Sequence, residues 1–160
     1  MDDDLEITTP AQMKALAHPM RHRIWRELGT EGATISQLTH RLETNKGNVA
    51  HHLGVLVASG LARKGRSRTV RGGTEQYYLR TAARLRFGSG DDGEATAAML
   101  GSVGAEIQRA KRPLLTHRAL RLTRAQAEAL GRHLEKVVDE LEPAGQREAS
   151  YGVLVSVYRR

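Results

Sequence analysis

The sequence predicts a mainly α chain with a small β component. A cluster of short helices is closed by a basic hairpin, and a C-terminal α+β segment follows in the order helix–strand–helix–strand. Three observations predict this. Thr-x-x-Gln recurs ahead of apolar-periodic runs, at Thr9–Gln12, Thr34–Gln37 and Thr123–Gln126, the pattern of a helix-opening capping box. Between residues 61 and 80, two strand-like runs flank Gly72-Gly73, a strong turn signal. Residues 88–93 read GSGDDG, a linker composition. The expected domains are therefore 1–88 and 94–160, within a length that suits one sizeable or two small domains.

Taken in order, Thr9 is the first N-cap and Pro10 sits at N1 of a helix running to about Ala17. His18-Pro19 breaks it and starts a second helix, whose stripe is Met20, Ile24 and Leu28 with Trp25 alongside. Gly29 and Gly32 end that helix. Thr34 opens a third, with Ile35, Leu38 and Leu42 inward. After a short turn Asn45 caps a fourth, which Gly60 ends at the C′ position. Val49, Leu53 and Leu56 recur at i, i+4 and i+7 and share its inner face. Gly47, Asn48, His51, Gly54 and Val55 then point roughly outward. Leu61–Ser67 and Glu75–Arg80 read as the hairpin strands.

Beyond the linker, Asp91 or Asp92 is the expected cap of a long helix from about Glu94 to Arg112. A short strand spans about Arg118–Leu122. Thr123 opens a helix with Leu130, Leu134, Val137 and Leu141 on one face, ending before Pro143. A last strand, about Ser150–Tyr158, places Tyr151, Val153, Val155 and Val157 on one face.

The net charge of +7 is unevenly spread. Residues 1–10 hold four acids and no base, residues 11–88 fourteen bases and four acids, and residues 89–160 eleven bases and ten acids. A basic N-terminal half points to an anionic partner, nucleic acid first and a membrane surface second. Twenty of the twenty-five bases are arginine; a GC-rich genome would favour that, but it would not confine the surplus to one half. No apolar run reaches the roughly 18 residues needed to span a bilayer, so no membrane association is expected. The start MDDDLE lacks the basic-then-apolar order of a secretory signal. With no cysteine there is no disulfide or thiolate ligand. A cytoplasmic protein is expected.

Two short helices joined by a tight turn, followed by a basic hairpin, have the spacing of a winged helix-turn-helix. Four pieces extend the match: KALAHPMRHRIWREL, ISQLTHRL, KGNVAHHLGVLVASGLA and the hairpin ending in EQYYL. In order and spacing, residues of about 8–87 resemble the winged helix-turn-helix domain of ArsR-type bacterial transcriptional regulators. The resemblance implies a dimeric repressor or activator that binds double-stranded DNA, a repressor being the expectation here. It covers half the chain. The metal-sensing members use cysteines on the helix before the recognition helix, where this chain has Ile35-Ser36-Gln37-Leu38-Thr39-His40. Others use Asp, His and Glu near the C-terminus, but His133 and Glu135 here are two apart and do not share a helix face. No metal site and no cofactor are expected.

The candidate DNA-binding residues are Asn45, Lys46, Gly47, Asn48, His51, His52, Arg63, Arg66, Arg68 and Arg71. The first turns of such a helix reach base edges. Asn48 suits adenine and Lys46 a guanine or a phosphate, while His52 suits packing or a phosphate contact. The hairpin arginines suit the phosphates or the minor groove. A palindromic operator needs two copies held about one helical turn apart. Ala97, Gly101 and Ala105, at i, i+4 and i+8, with Gly104 alongside, are the candidate dimerisation face. The alternative is that these glycines pack against the domain's own strands. Two C-terminal strands are too few for an independent sheet, so helices or a partner should complete it, with room for an apolar small-molecule effector. Two competing classes are a winged-helix protein-interaction module without specific DNA binding and an enzyme with a site in residues 94–160. No catalytic residue is expected: the hydroxyls are scattered and no glycine-rich phosphate loop follows a strand.

Overall fold

The computed structural model describes residues 2–29, 31–71, 73–87, 93–142, 148–149 and 151–159. It divides into two compact units, Met1–Pro113 and Leu114–Arg160.

Unit 1 opens with strand β1 (Asp2–Ile7) and helices α1 (Pro10–Leu16) and α2 (Pro19–Leu28). Strand β2 (Ala33–Thr34) and helices α3 (Ile35–Arg41) and α4 (Lys46–Ala58) follow. Strands β3 (Ala62–Val70), β4 (Gly73–Arg80) and β5 (Ala82–Phe87) precede helix α5 (Glu94–Arg109). The threonine starts of α1 and α3 are complete capping boxes: Thr9 and Thr34 accept from the Gln12 and Gln37 amides, and each glutamine side chain returns to the cap N–H. Pro19 occupies N1 of α2, where its missing N–H costs nothing. His18 is the cap, its Nδ1 accepting from the Met20 amide at 3.1 Å.

Leu16, Ile24, Leu28, Leu38, Val49, Leu53, Leu56 and Leu61 form a closed core, with Trp25 at its edge. The sheet order is β2-β4-β3, all antiparallel. The β3–β4 ladder runs out to Val70 opposite Gly73, so both strands are longer than the sequence suggested. Gly72 lies outside the described residues. Gly32 enters β2 with φ +80°, and a Cβ there would lie 2.6 Å from the Tyr78 carbonyl oxygen. Only glycine fits that approach.

Strands β1 and β5 were not expected. They pair in parallel, with Asp4 opposite Arg84 and Glu6 opposite Arg86. Asp4 also forms ion pairs with Arg84 at 3.5 Å and Arg86 at 2.9 Å. Ile7 is buried in the core, so the acidic start is anchored by an apolar residue as well as by charge.

The expected boundary at 88–93 is not where the compact unit ends. Helix α5 packs on α1 and α2, burying Ala95 and Ser102, and Glu106 pairs with Arg26. Unit 1 therefore runs on to Pro113. The expected caps Asp91 and Asp92 lie outside the described residues; the observed N-cap is Gly93, without a side-chain cap bond. Helix α5 stops at Arg109, one turn short of the expected end.

Unit 2 contains helix α6 (Arg124–Asp139), opened by the third capping box at Thr123 and Gln126. The expected strands at 118–122 and 151–158 do not form; both stretches are irregular chain. Two strands without a third, or a helix burying one face, do not sustain a ladder, and nothing in α6 is buried. Leu130 and Leu134 are half-buried as expected, but Val138 takes the place of Val137, and Leu141 is exposed.

The α3–α4 turn sets the angle of α4. Helix α3 ends in a complete Schellman motif: the Thr44 amide donates to the Thr39 carbonyl at 3.2 Å and the Glu43 amide to the His40 carbonyl at 3.3 Å. The C′ residue is Glu43, at φ +52°, where most chains place glycine. Replacing Glu43 with Gly should relieve left-handed strain and raise stability by about 0.5–1 kcal/mol, read as a higher urea midpoint with an unchanged slope.

Candidate nucleic-acid interface

Helix α4 is held by its inner face. Val49, Leu53 and Leu56 are each at most 1% exposed, and His52 joins them at 7%. His52, expected to pack or to contact a phosphate, has its ring buried against that of His18, the cap of α2. Counting His52 inward rotates the outer face toward Ala50, which the sequence reading omitted. Exposed along α4 are Lys46, Gly47, Ala50, His51, Gly54 and Ala58. Two residues expected outward turn sideways. Val55 packs against the core. Asn48 is half-buried, its Nδ2 donating to Thr44 Oγ1 at 3.0 Å and its amide to Asn45 Oδ1 at 2.8 Å. Asn45 is thus the N-cap that its residue type implied.

The outer face is nearly bare. Gly47 and Gly54 each cost a helix about 1 kcal/mol relative to alanine. A Cβ on Gly54 would meet nothing within 4 Å, and one on Gly47 only the Asn45 side chain at 3.4 Å. The chain's own packing requires neither glycine. What they leave is a smooth ridge flanked by Lys46 and His51, with no carboxylate on it.

Beside this helix in sequence, the β3–β4 hairpin carries Arg63, Lys64, Arg66, Arg68 and Arg71, all exposed. The ladder shifts register between Lys64 and Ser67, a bulge that re-aims side chains at Gly65-Arg66. Gln76 Nε2 holds the bulge by donating to the Gly65 carbonyl at 2.8 Å and the Arg66 carbonyl at 3.2 Å. The Arg66 guanidinium lies 4.8 Å above the Tyr77 ring. That contact stiffens a long side chain while leaving its charge in place. Glu75 stands opposite Arg68 and offsets part of the charge.

His18, read from the sequence as a helix-junction residue, meets the α4 histidines that were read as candidate DNA contacts. The His18 and His52 ring centroids are 4.5 Å apart, and His51 meets His52 edge-on at 5.2 Å. Burial pushes His18, His22 and His52 below the ordinary value of 6.5. Arg21 pushes the same way at all three, and His18 adds to it at His52. At neutral pH they pack as neutral rings.

On α5, Ala97 and Gly101 are exposed, while Gly104 and Ala105 are half-buried. A Cβ at Gly101 or Gly104 would meet nothing within 4 Å. Among the described residues these glycines therefore do not serve packing against the domain's own strands. No group of three or more histidines and carboxylates among the described residues is placed to hold a metal ion. No helix of the described residues is long and apolar enough to cross a membrane.

A family model described as a helix-turn-helix domain matches residues 16–64. No curated protein matches the chain. The matched span begins in α1 and ends in β3, so it contains α2, α3 and α4 whole. It supports a DNA-binding, helix-turn-helix transcription regulator.

The histidines make stability depend on pH. Unfolded, each takes up a proton near pH 6.5; folded, His18, His22 and His52 resist it. Protonation therefore favours the unfolded chain. Stability should be level above about pH 7 and fall as pH drops through and below 6.5. Urea unfolding at pH 7.5, 6.5 and 5.5 measures this, and His22→Gln should flatten the fall.

Proposed function

We propose that the chain is a winged helix-turn-helix regulator of the ArsR type. It acts as a homodimer in the cytoplasm and represses transcription from a palindromic double-stranded operator. The observation that carries the reading is the bare outer face of α4, flanked by Lys46 and His51 and followed by a hairpin of five exposed bases. A helix entering the major groove needs a face without bulk, and the hairpin suits the adjoining phosphates as a wing. Lys46 and His51 stand where base edges would be met. Ala50, the methyl between Gly47 and Gly54, suits a thymine methyl. Asn45 and Asn48 hold the helix start, Asn48 lying at the edge of the reading face. Arg63, Arg66, Arg68 and Arg71 supply the sequence-independent part of the binding. The small-residue face of α5, at Ala97, Gly101, Gly104 and Ala105, is available to a second copy.

Metal sensing is left out of this reading because the chain lacks cysteine and separates His133 from Glu135 along α6.

Two substitutions on a duplex selected from a random library test the roles. Arg66→Ala and Arg68→Ala should weaken binding to selected and random duplexes alike, each lowering the slope of log affinity against log salt by about 1. Lys46→Ala should instead cost about 1–3 kcal/mol on the selected duplex alone. Equal losses on both duplexes for every variant would defeat the division between reader and wing.

Gly54→Ala separates fold from function. It should stabilise α4 by up to about 1 kcal/mol while reducing affinity for the selected duplex, measured by fluorescence anisotropy. A variant that is more stable and binds as tightly would show that the bare ridge does not face DNA.

A further inference from the structure

The hairpin ladder changes register once. Ala62, Arg63 and Lys64 stand opposite Arg80, Leu79 and Tyr78, while Ser67, Arg68 and Thr69 stand opposite Gln76, Glu75 and Thr74. Gly65 and Arg66 therefore share one opposite residue, Tyr77, the two-against-one count of a β-bulge. Directly opposed residues lie on the same side of a sheet, and a slip of one residue sends each later side chain to the other side. Ala62, Lys64 and Ser67 thus share a side with Arg80, Tyr78 and Gln76. Ala62 is buried and Tyr78 packs on the core, so this side is the inner one. Arg63 and Arg68 share the outer side with Leu79, Tyr77 and Glu75. Arg66 joins them, its guanidinium lying over the Tyr77 ring. Had the register of Ala62–Lys64 run on unbroken, Arg66 and Arg68 would stand on the inner side with Lys64. One inserted residue moves both across.

Specific side chains hold the bulge. Besides its bonds to the Gly65 and Arg66 carbonyls, Gln76 Nε2 donates to the Tyr77 carbonyl at 2.8 Å, so one amide serves the oxygens where the ladder breaks. A Cβ on Gly65 would collide with Leu79 Cδ1, so the leucine lies over a position that glycine leaves open. Glycine inside a strand weakens it, and none of Gly65, Arg66 and Gln76 is buried. The arrangement serves the surface.

We infer that the bulge gathers Arg63, Arg66 and Arg68 into one row that follows the phosphates of a single nucleic-acid strand, with Gln76 as the positioning residue that keeps the row in line. The inference rests on the DNA reading above and deepens it. The three arginines stand across from residues 79, 77 and 75, every second residue of β4. At about 3.3 Å per residue the row is about 13 Å long. A phosphate backbone is a line of charges. Evenly spaced cations on one side of a stiff ladder can meet it without first ordering loose side chains. Lys64 is equally exposed but lies off the row. Glu75, the one acid in residues 62–80, stands across from Arg68 and offsets part of the charge at that end.

The test measures affinity of the full chain for a random-sequence duplex across a salt series. Arg63→Ala should lower the slope of log affinity against log salt by about 1, and Lys64→Ala should leave it unchanged. Exchanging two neighbours, Ser67→Arg with Arg68→Ser, keeps composition and net charge but sends one guanidinium to the inner side. It should also lower the slope by about 1. Gln76→Leu removes the donor without changing charge. It should weaken binding roughly five-fold in the wild-type background and hardly at all beside Arg66→Ala. Without DNA, the Arg66 side-chain protons should show an upfield shift from the Tyr77 ring in the wild type and lose it in Gln76→Leu. Equal slope losses for Arg63→Ala and Lys64→Ala, an exchange variant that binds like wild type, or a Gln76→Leu cost that is the same in both backgrounds would each overturn the proposal. Should Gln76→Leu unfold, the Arg63, Lys64 and exchange variants decide. A wild type that binds no duplex defeats the DNA reading and the row with it; a wild type that binds without these distinctions defeats the row alone.

Discussion

Val49, Leu53 and Leu56 lie under α4 with essentially no exposure, and the direction of every other side chain on that helix follows from them. Burying three such side chains is worth about 1.5–3 kcal/mol each, far more than the roughly 1 kcal/mol lost at each helical glycine. The inner face can therefore carry the helix while the outer face stays bare. Rotation about the helix axis is fixed by those three residues and by His52. Tilt is fixed by the Schellman turn at Glu43. Both constraints together fix how the outer face of α4 is presented.

The electrostatics of unit 1 are arranged around the same helix. Behind α4, burial holds His18 and His52 below the ordinary histidine value, so the inner packing there does not favour added charge. The permanent charge sits on the hairpin, where it is solvated and where a bulge and a cation–π contact with Tyr77 shape its display. Of the acids at the chain's start, Asp4 is paired with Arg84 and Arg86 on β5. Charge and shape are thus divided between separate elements, a division that lets one be changed without unfolding the other.

Much of unit 1 was legible because its signals are local. All three capping boxes form at the threonines that announced them. Pro10 and Pro19 sit where helices begin, and Asn45 caps α4. The hairpin was found from its glycines and tyrosines, though not its full length, because arginine-rich strand ends carry no apolar alternation. Strands β1 and β5 were missed for a different reason. Their partners are some eighty residues apart and pair in parallel, so no hairpin signal links them. Only their complementary charges, acids at 4 and 6 against bases at 84 and 86, hinted at the match. In the second half, the apolar alternation at 151–157 did not make a strand, since two strands are too few to sustain a ladder.

Sequence by itself determined where helices start, which face of α4 turns inward, and where positive charge gathers. Those are properties of residue type at short spacing, set by backbone capping, helical periodicity and Coulomb's law. Tertiary structure alone decided that His52 is buried, that Asn48 is half-buried while Ala50 is exposed, and that α5 belongs to the first unit. Each of those outcomes depends on which surface arrives from a distant part of the chain, and burial is a property of the pair, not of the residue.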